Sequence, residues 1–128
     1  MAIATKKILL VEDEAPLLKV LEDRFLQEGF VVFKASDGAE GYKIALENRP
    51  DIILLDILLP LVNGLEMLKK IRENKAGEDI PVLILTNLND MQSIKQALEN
   101  EAYDYLVKSD WKLDDLVKKV KERLMETS

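Results

Sequence analysis

Short apolar runs, unbroken in four cases of five, recur along this chain, each separated from the next by a longer stretch in which apolar residues follow a helical period. The runs are Ile8-Leu9-Leu10-Val11, Phe30-Val31-Val32-Phe33, Ile52-Ile53-Leu54-Leu55, Val82-Leu83-Ile84-Leu85 and Tyr103-Asp104-Tyr105-Leu106-Val107. A strand that is apolar at every position needs cover on both faces, which is the condition of strands in a parallel sheet. Helical connections between such strands give right-handed crossovers and place helices on both sides. The pattern therefore predicts an α/β fold, a single doubly wound five-stranded parallel sheet with five helices.

The intervening stretches carry their own start and stop signals. Pro16 sits where a first helix begins, because its missing N–H is unpaired there anyway. Leu17, Leu18, Leu21 and Phe25 share one helical face, and Gly29 suits the helix end. Ser36 or Asp37 can cap a second helix, with Tyr42, Ala45 and Leu46 inward, and Asn48-Arg49-Pro50 breaks it. Asn63 can cap a third, carrying Leu65, Leu68 and Ile71. Gly77 and Pro81 precede the fourth strand. Met91, Ile94 and Leu98 mark a fourth helix. Asp110 can cap the last one, where Leu113, Leu116, Val117, Val120 and Leu124 keep helical period. Lys118, Lys119, Lys121 and Arg123 near its end complement the negative pole of its dipole.

Composition narrows the chemistry. The 128 residues contain no cysteine and no histidine. Disulfides, thiolate metal sites, cysteine nucleophiles, histidine zinc sites and a histidine phosphate carrier are thereby excluded. With 18 basic and 24 acidic side chains the net charge is −6, which repels phosphate backbones and argues against direct nucleic-acid binding by this chain. The longest apolar stretch, Ile52 to Val62, contains Asp56 and falls short of the roughly 20 residues of a membrane span. The N-terminus lacks a signal-peptide layout. Residues 1–128 are expected to form one cytoplasmic domain with its core over about 6–125 and no membrane contact.

Ligands of parallel α/β sheets bind beyond the carboxyl ends of the strands. Reading the residue after each run gives Glu12-Asp13, Asp56, Thr86 and Lys108. The second run ends in Lys34-Ala35 and marks an edge strand outside the site. A lone acid after a strand is usually a turn residue or a cap. Three carboxylates, a hydroxyl and an ammonium brought to one edge are a set with a purpose. Clustered carboxylates repel unless a cation neutralises them. An all-oxygen donor set favours a hard ion, Mg2+, with Mn2+ as a substitute. One carboxylate can then act as nucleophile and form an aspartyl phosphate. Asp56, inside an apolar stretch, is the least easily explained as a surface residue.

With these residues in view the sequence resembles a response-regulator receiver domain of the chemotaxis-regulator kind, the phosphoacceptor half of two-component signalling. Leu10-Val11-Glu12-Asp13-Glu14 resembles the family's acidic pair, and Asp56-Ile57-Leu58-Leu59-Pro60-Leu61-Val62-Asn63-Gly64 its phosphorylation-site signature. Leu85-Thr86 resembles the switch threonine, and Asp104-Tyr105-Leu106-Val107-Lys108 the switch aromatic and the site lysine. Thr86 and Lys108 lie 30 and 52 residues beyond Asp56, close to the family spacing. The resemblance implies a flavodoxin-like strand order 2-1-3-4-5. It implies that Asp56 accepts the phosphoryl group and that Asp13, Asp56 and the Leu58 main-chain carbonyl bind Mg2+, with Glu12 acting through a coordinated water. Lys108 would pair with the phosphoryl group, Thr86 would donate its hydroxyl to it, and Tyr105 would turn inward. The donor would be a sensor histidine kinase or a histidine phosphotransfer protein. An unknown downstream protein would read the face formed by the fourth helix, fifth strand and last helix. On this reading the chain is a signalling switch that catalyses only its own phosphorylation and dephosphorylation.

Four features depart from the family pattern. Asn87 is larger than the usual residue beside the phosphoryl group. Leu58 and Leu88 cannot hydrogen-bond an attacking water, which points to a long-lived phosphoaspartate. Ser109 replaces the usual proline after Lys108, so a cis bond there would cost about 2.5–4 kcal/mol rather than about 0.5–1. Glu101 stands where glycine usually ends the fourth helix, and the cost of a left-handed glutamate points to a different helix end. Tyr103 and Trp111 flank this region as packing residues or as partner contacts. A stand-alone switch, an excised module of a longer regulator, a constitutive interaction module and a magnesium phosphatase are the competing functions. The complete residue set disfavours the third, and Leu58 with the lack of a cap insertion disfavours the fourth. An anionic first turn disfavours a flavin site.

Overall fold

A computed structural model of the chain describes residues 5–57, 63–86, 91–107 and 112–125. Strands and helices alternate throughout: β1 Lys7–Val11, α1 Ala15–Gln27, β2 Val31–Ala35, α2 Gly38–Asn48, β3 Ile52–Asp56, α3 Gly64–Glu73, β4 Val82–Thr86, α4 Met91–Glu99, β5 Asp104–Val107 and α5 Leu113–Met125. The strands form one parallel sheet in the order β2-β1-β3-β4-β5, the expected order, with β2 at an edge.

Alternating side chains of the central strands feed two separate cores. Leu9, Val11, Ile53, Leu55, Val82 and Ile84 point to one side, where Ala45 of α2, Met67, Leu68 and Ile71 of α3 and Ala97 of α4 close over them. Ile8, Leu10, Ile52, Leu54, Leu83 and Leu85 point to the other, under Leu21 and Phe25 of α1 and Leu116, Val117, Val120 and Leu124 of α5. The central strands read as apolar runs because both of their faces are covered, whereas the edge strands β2 and β5 carry Lys34 and Asp104 and are less buried. Phe30 joins the second core rather than opening β2. It packs edge-on against Phe25, with ring centroids 5.2 Å apart, so β2 begins one residue later than the apolar run.

Local chemistry sets the helix ends. The Asp37 side chain accepts from the Glu40 amide at 2.8 Å, which resolves the choice between Ser36 and Asp37. Asn63 accepts from the Glu66 amide at 2.9 Å. Gly29, at φ 92°, follows α1, and Arg49, at φ 46°, ends α2. The fourth helix stands where the sequence places it, and one expectation, at Glu101, needs correction. On α4, Ile94 and Ala97 face the core, whereas Met91 and Leu98 are exposed; the apolar stripe is wider than the sheet it covers. Glu101 does adopt the left-handed conformation, at φ 63°, so the helix end has the geometry that glycine would give it. The proposed cap Asp110 and Trp111 lie outside the described residues. Tyr103 packs on the second core with the Arg123 guanidinium 5.4 Å from its ring centroid, the packing role of the two considered.

Ion pairs tie the outer elements down. Arg24 on α1 meets Glu28 at 2.9 Å and Asp114 on α5 at 2.8 Å, and Lys121 on α5 also pairs with Glu28. Lys121 and Arg24 together hold the Glu28 carboxyl below the usual carboxylate range. At the sheet edges Lys34 of β2 meets Glu22 of α1 at 3.1 Å, and Asp104 of β5 meets Lys119 of α5 at 2.5 Å.

Two substitutions calibrate this packing. Phe25→Ala empties a fully buried site and is expected to lower unfolding free energy by about 3–5 kcal/mol. Asp37→Ala removes one cap bond and is expected to cost about 1 kcal/mol. Urea unfolding curves check both, and equal losses would contradict this account of α2.

Candidate functional site

The carboxyl edge of the sheet is built by strand register. Val11 lies opposite Leu55, so the residues that follow them, Glu12 and Asp56, come level on neighbouring strands. Parallel strands sit about 4.8 Å apart, and carboxylate oxygens of Glu12, Asp13 and Asp56 all lie within 4.8 Å of one another. Glu12 and Asp56 are only 1% and 3% exposed, and among the described residues they are the buried charged ones. Asp13 is exposed. The site therefore has two walled carboxylates and one facing solvent.

The backbone around these groups is tightly held. The Glu12 amide donates to the Ala35 carbonyl at 3.0 Å, and the Glu14 amide donates back to Glu12 Oε2 at 3.1 Å. The latter contact closes the turn into α1 and was not evident from the sequence. Below Asp56, the Gly64 amide donates to the Ile57 carbonyl at 2.9 Å. A Cβ at Gly64 would fall 2.4 Å from the Asp56 carbonyl oxygen and 2.7 Å from the Ile57 Cα. Glycine is required there by the close approach of α3 to the Asp56 strand. The Asn63-Gly64 pair is the sequence signal for this approach, since it marks the cap of α3 and the end of the phosphorylation-site signature.

Other candidate residues extend the same edge. Thr86 ends β4 one position beyond Leu85, the register partner of Asp56, and pairs with Val107 of β5. Tyr105 is half-buried, opposite Ile84, and packs on the core beneath α2, α3 and α4. Lys108 and the Leu58 carbonyl lie outside the described residues, as do Asn87, Leu88 and Ser109.

Two carboxylate charges at 4–5 Å repel by about 3–4 kcal/mol at an effective dielectric of about 20. Three such groups converging on one point, two of them walled off from water, suit a cation. Their hard oxygen donors fit Mg2+ and would suit a larger soft metal poorly. Glu12, Asp13 and Asp56 are the residues that could hold it.

Known proteins resemble this chain in sequence and fold. A family model for the response regulator receiver domain matches residues 8–121. The transcriptional regulatory protein CusR of Escherichia coli K12 is 40% identical over 102 residues, which cover 80% of this chain and 44% of CusR. The DNA-binding dual master transcriptional regulator RpaA of Synechocystis is 31% identical over 121 residues, covering 94% of this chain and 50% of RpaA. The chain thus spans about half the length of the curated relatives it matches. Among solved structures, a CheY-like receiver domain protein from Methanospirillum hungatei superposes with a TM-score of 0.89 at 27% identity, covering 96% of each chain. The receiver domain of sensor histidine kinase PA1611 from Pseudomonas aeruginosa, with a magnesium ion coordinated in its active-site cleft, gives 0.85 at 29% identity, over 94% of this chain and 98% of that one.

The Gly64 contact yields a direct test. Gly64→Ala is expected to push α3 off the Asp56 strand and to cost about 1–3 kcal/mol. Gly29→Ala meets no atom within 4 Å but sits at φ 92°, and its cost of about 1 kcal/mol is purely conformational. Amide shifts of Asp56 and Ile57 should move in the first variant and stay in place in the second.

Proposed function

The chain belongs to the response-regulator receiver domain family, and on that premise we propose that it is a phosphoacceptor switch with Asp56 as the acceptor. The observation that carries this is the convergence of Glu12, Asp13 and buried Asp56 at the carboxyl edge of the sheet. A phosphohistidine on a sensor histidine kinase or a histidine phosphotransfer protein is the donor. An Asp56 carboxylate oxygen attacks phosphorus, the new O–P bond forms, and the P–N bond breaks with its electron pair going to the imidazole nitrogen. This chain's part is positioning and charge neutralisation. Lys108 pairs with the phosphoryl group, and Thr86 donates its hydroxyl to a phosphoryl oxygen. Asp13 and Asp56, with the Leu58 main-chain carbonyl that the family resemblance adds, would hold Mg2+ or Mn2+, and Glu12 would act through a water on the ion. The ion, when bound, offsets the negative charge that gathers on the transferred oxygens. Asp56 is walled from bulk water, and Leu58 and Leu88 give a hydrolytic water nothing to bond. The phosphoaspartate is accordingly long-lived.

The switch is a two-state change biased by new charge-assisted contacts. Thr86 moves toward the phosphoryl group and Tyr105 turns inward behind it. The change is read on the face formed by α4, β5 and α5, where Met91 and Leu98 are exposed and available to a partner. The chain itself makes no direct contact with nucleic acid, given its charge of −6. No helix among the described residues is long and apolar enough to cross a membrane, and we place the switch in the cytoplasm. Two settings fit this role: a stand-alone switch, or the receiver portion of a longer regulator. The second is favoured by relatives such as CusR and RpaA, whose names describe transcriptional regulators of about twice this length.

Acetyl phosphate with Mg2+ is expected to add one phosphoryl group to the protein and none to Asp56→Asn, read by intact mass. The adduct should persist for hours after the donor is removed. Gain in the variant would move the acceptor elsewhere, and loss within seconds would refute the long lifetime. Saturating Mg2+ at about 100 times its Kd is expected to stabilise the fold by about 2.7 kcal/mol. Asp13→Asn should lose most of that gain in thermal melts.

A further inference from the structure

α3 is held at both ends by contacts of different kinds. Its first residue, Gly64, lies against the Asp56 backbone with no room for a side chain. Its last turn carries Arg72, whose guanidinium donates to three main-chain carbonyls. Nη1 reaches Gly77 at 3.1 Å, Nε reaches Asn100 at 3.1 Å, and Nη2 reaches Glu101 at 3.0 Å. Asn100 and Glu101 form the C-terminal cap of α4. There the Ala102 amide donates to the Ala97 carbonyl at 3.0 Å and the Glu101 amide to the Leu98 carbonyl at 3.1 Å. This is the two-bond pattern of a Schellman ending, with buried Ala97 and Ala102 as its apolar contact. Its left-handed position, normally glycine, is Glu101 at φ 63°. Without a compensating contact such a residue is strained.

We infer that α3 is a strut, about 15 Å long, that fixes the C-terminal end of α4 relative to the Asp56 strand, with Arg72 as the positioning residue at its far end. The cation satisfies the Asn100 carbonyl left over by α4 and the Glu101 carbonyl beyond it, at the negative pole of the helix dipole. Burial pushes the Arg72 pKa down from the ordinary arginine value, opposed by the charges of Glu101 and Asp79; the guanidinium stays charged and is partly desolvated, which strengthens its bonds. The clamp forms one wall of a cleft of about 190 Å³ with Glu78, Asp79, Tyr103 and Arg123. That cleft opens at the end of the sheet away from the carboxylates. The consequence rests on the switch proposed above. A change at Asp56 would displace the near end of α4 while its far end stays pinned, so α4 pivots rather than slides.

Hydrogen exchange at the Asn100, Glu101 and Ala102 amides tests the anchor without any phosphorylation. Arg72→Ala is expected to speed their exchange about tenfold, and Arg72→Lys less, since a single ammonium cannot span three carbonyls. Glu101→Gly is expected to slow it about fivefold by removing the left-handed cost. It also serves as the background for Arg72→Ala if that variant folds poorly alone. Amides of β3 and β4 should not change. Unaltered exchange at 100–102 in both Arg72 variants overturns the anchor. Acetyl phosphate should still load Asp56 in Arg72→Ala at the parental rate, while the phosphorylation-linked change in α4 exchange spreads to its C-terminal turn. If that change stays confined to the near end of α4, the strut has no part in the switch. Failure of the parent to take phosphate would instead refute the proposed function and leave the anchor to be decided by the exchange data.

Discussion

A carboxylate that ends an apolar strand is the constraint around which this molecule is arranged. Asp56 follows four fully apolar residues of β3 and is 3% exposed. Burying such a group costs several kcal/mol unless its surroundings answer its charge. Here the neighbours raise the demand, because register brings Glu12 level with it and Asp13 close by. The sheet order puts β1, β3 and β4 side by side, which brings these groups and Thr86 to one edge. The two apolar cores serve to make that edge rigid. A site that must accept and release a compact, highly charged group needs fixed walls more than it needs breadth.

Much of this could be read from the residues because fold and site rest on the same pattern. Strands that are apolar throughout announce a covered parallel sheet, and such a sheet announces where ligands bind. The element order, the edge position of β2 and the convergence of Glu12, Asp13 and Asp56 followed from that. What escaped were contacts between segments remote in sequence. Nothing near Arg72 in the chain points to Asn100 and Glu101, 28 and 29 residues away. Glu101 was expected to avoid the left-handed region on local grounds. The tertiary contact from α3 changes the balance, as tertiary context commonly does with local preference. Met91, Ile94 and Leu98 mark the helix by their period, but a stripe of period 3.6 does not say how much of it the sheet will cover.

The two sides of the sheet differ in how they are fastened. On one side α1 and α5 are tied to each other by Arg24, Glu28, Asp114 and Lys121. On the other, α3 packs against Asp56 at its start and holds α4 by main-chain carbonyls at its end. The helix whose exposed face carries Met91 and Leu98 is thus held at its far end by a neighbour rather than by a surface ion pair. Such a contact is less sensitive to ionic strength than exposed charge pairs are.

The paired charges at the sheet margins carry a consequence for assembly. A parallel sheet has two open edges, and a bare edge invites another chain to add a strand and seed aggregation. Here β2 carries Lys34, tied to Glu22, and β5 carries Asp104, tied to Lys119. Each places a fixed charge where an incoming strand would have to strip it of water. These charged margins therefore work against strand addition at either edge and favour a sheet that stays five strands wide.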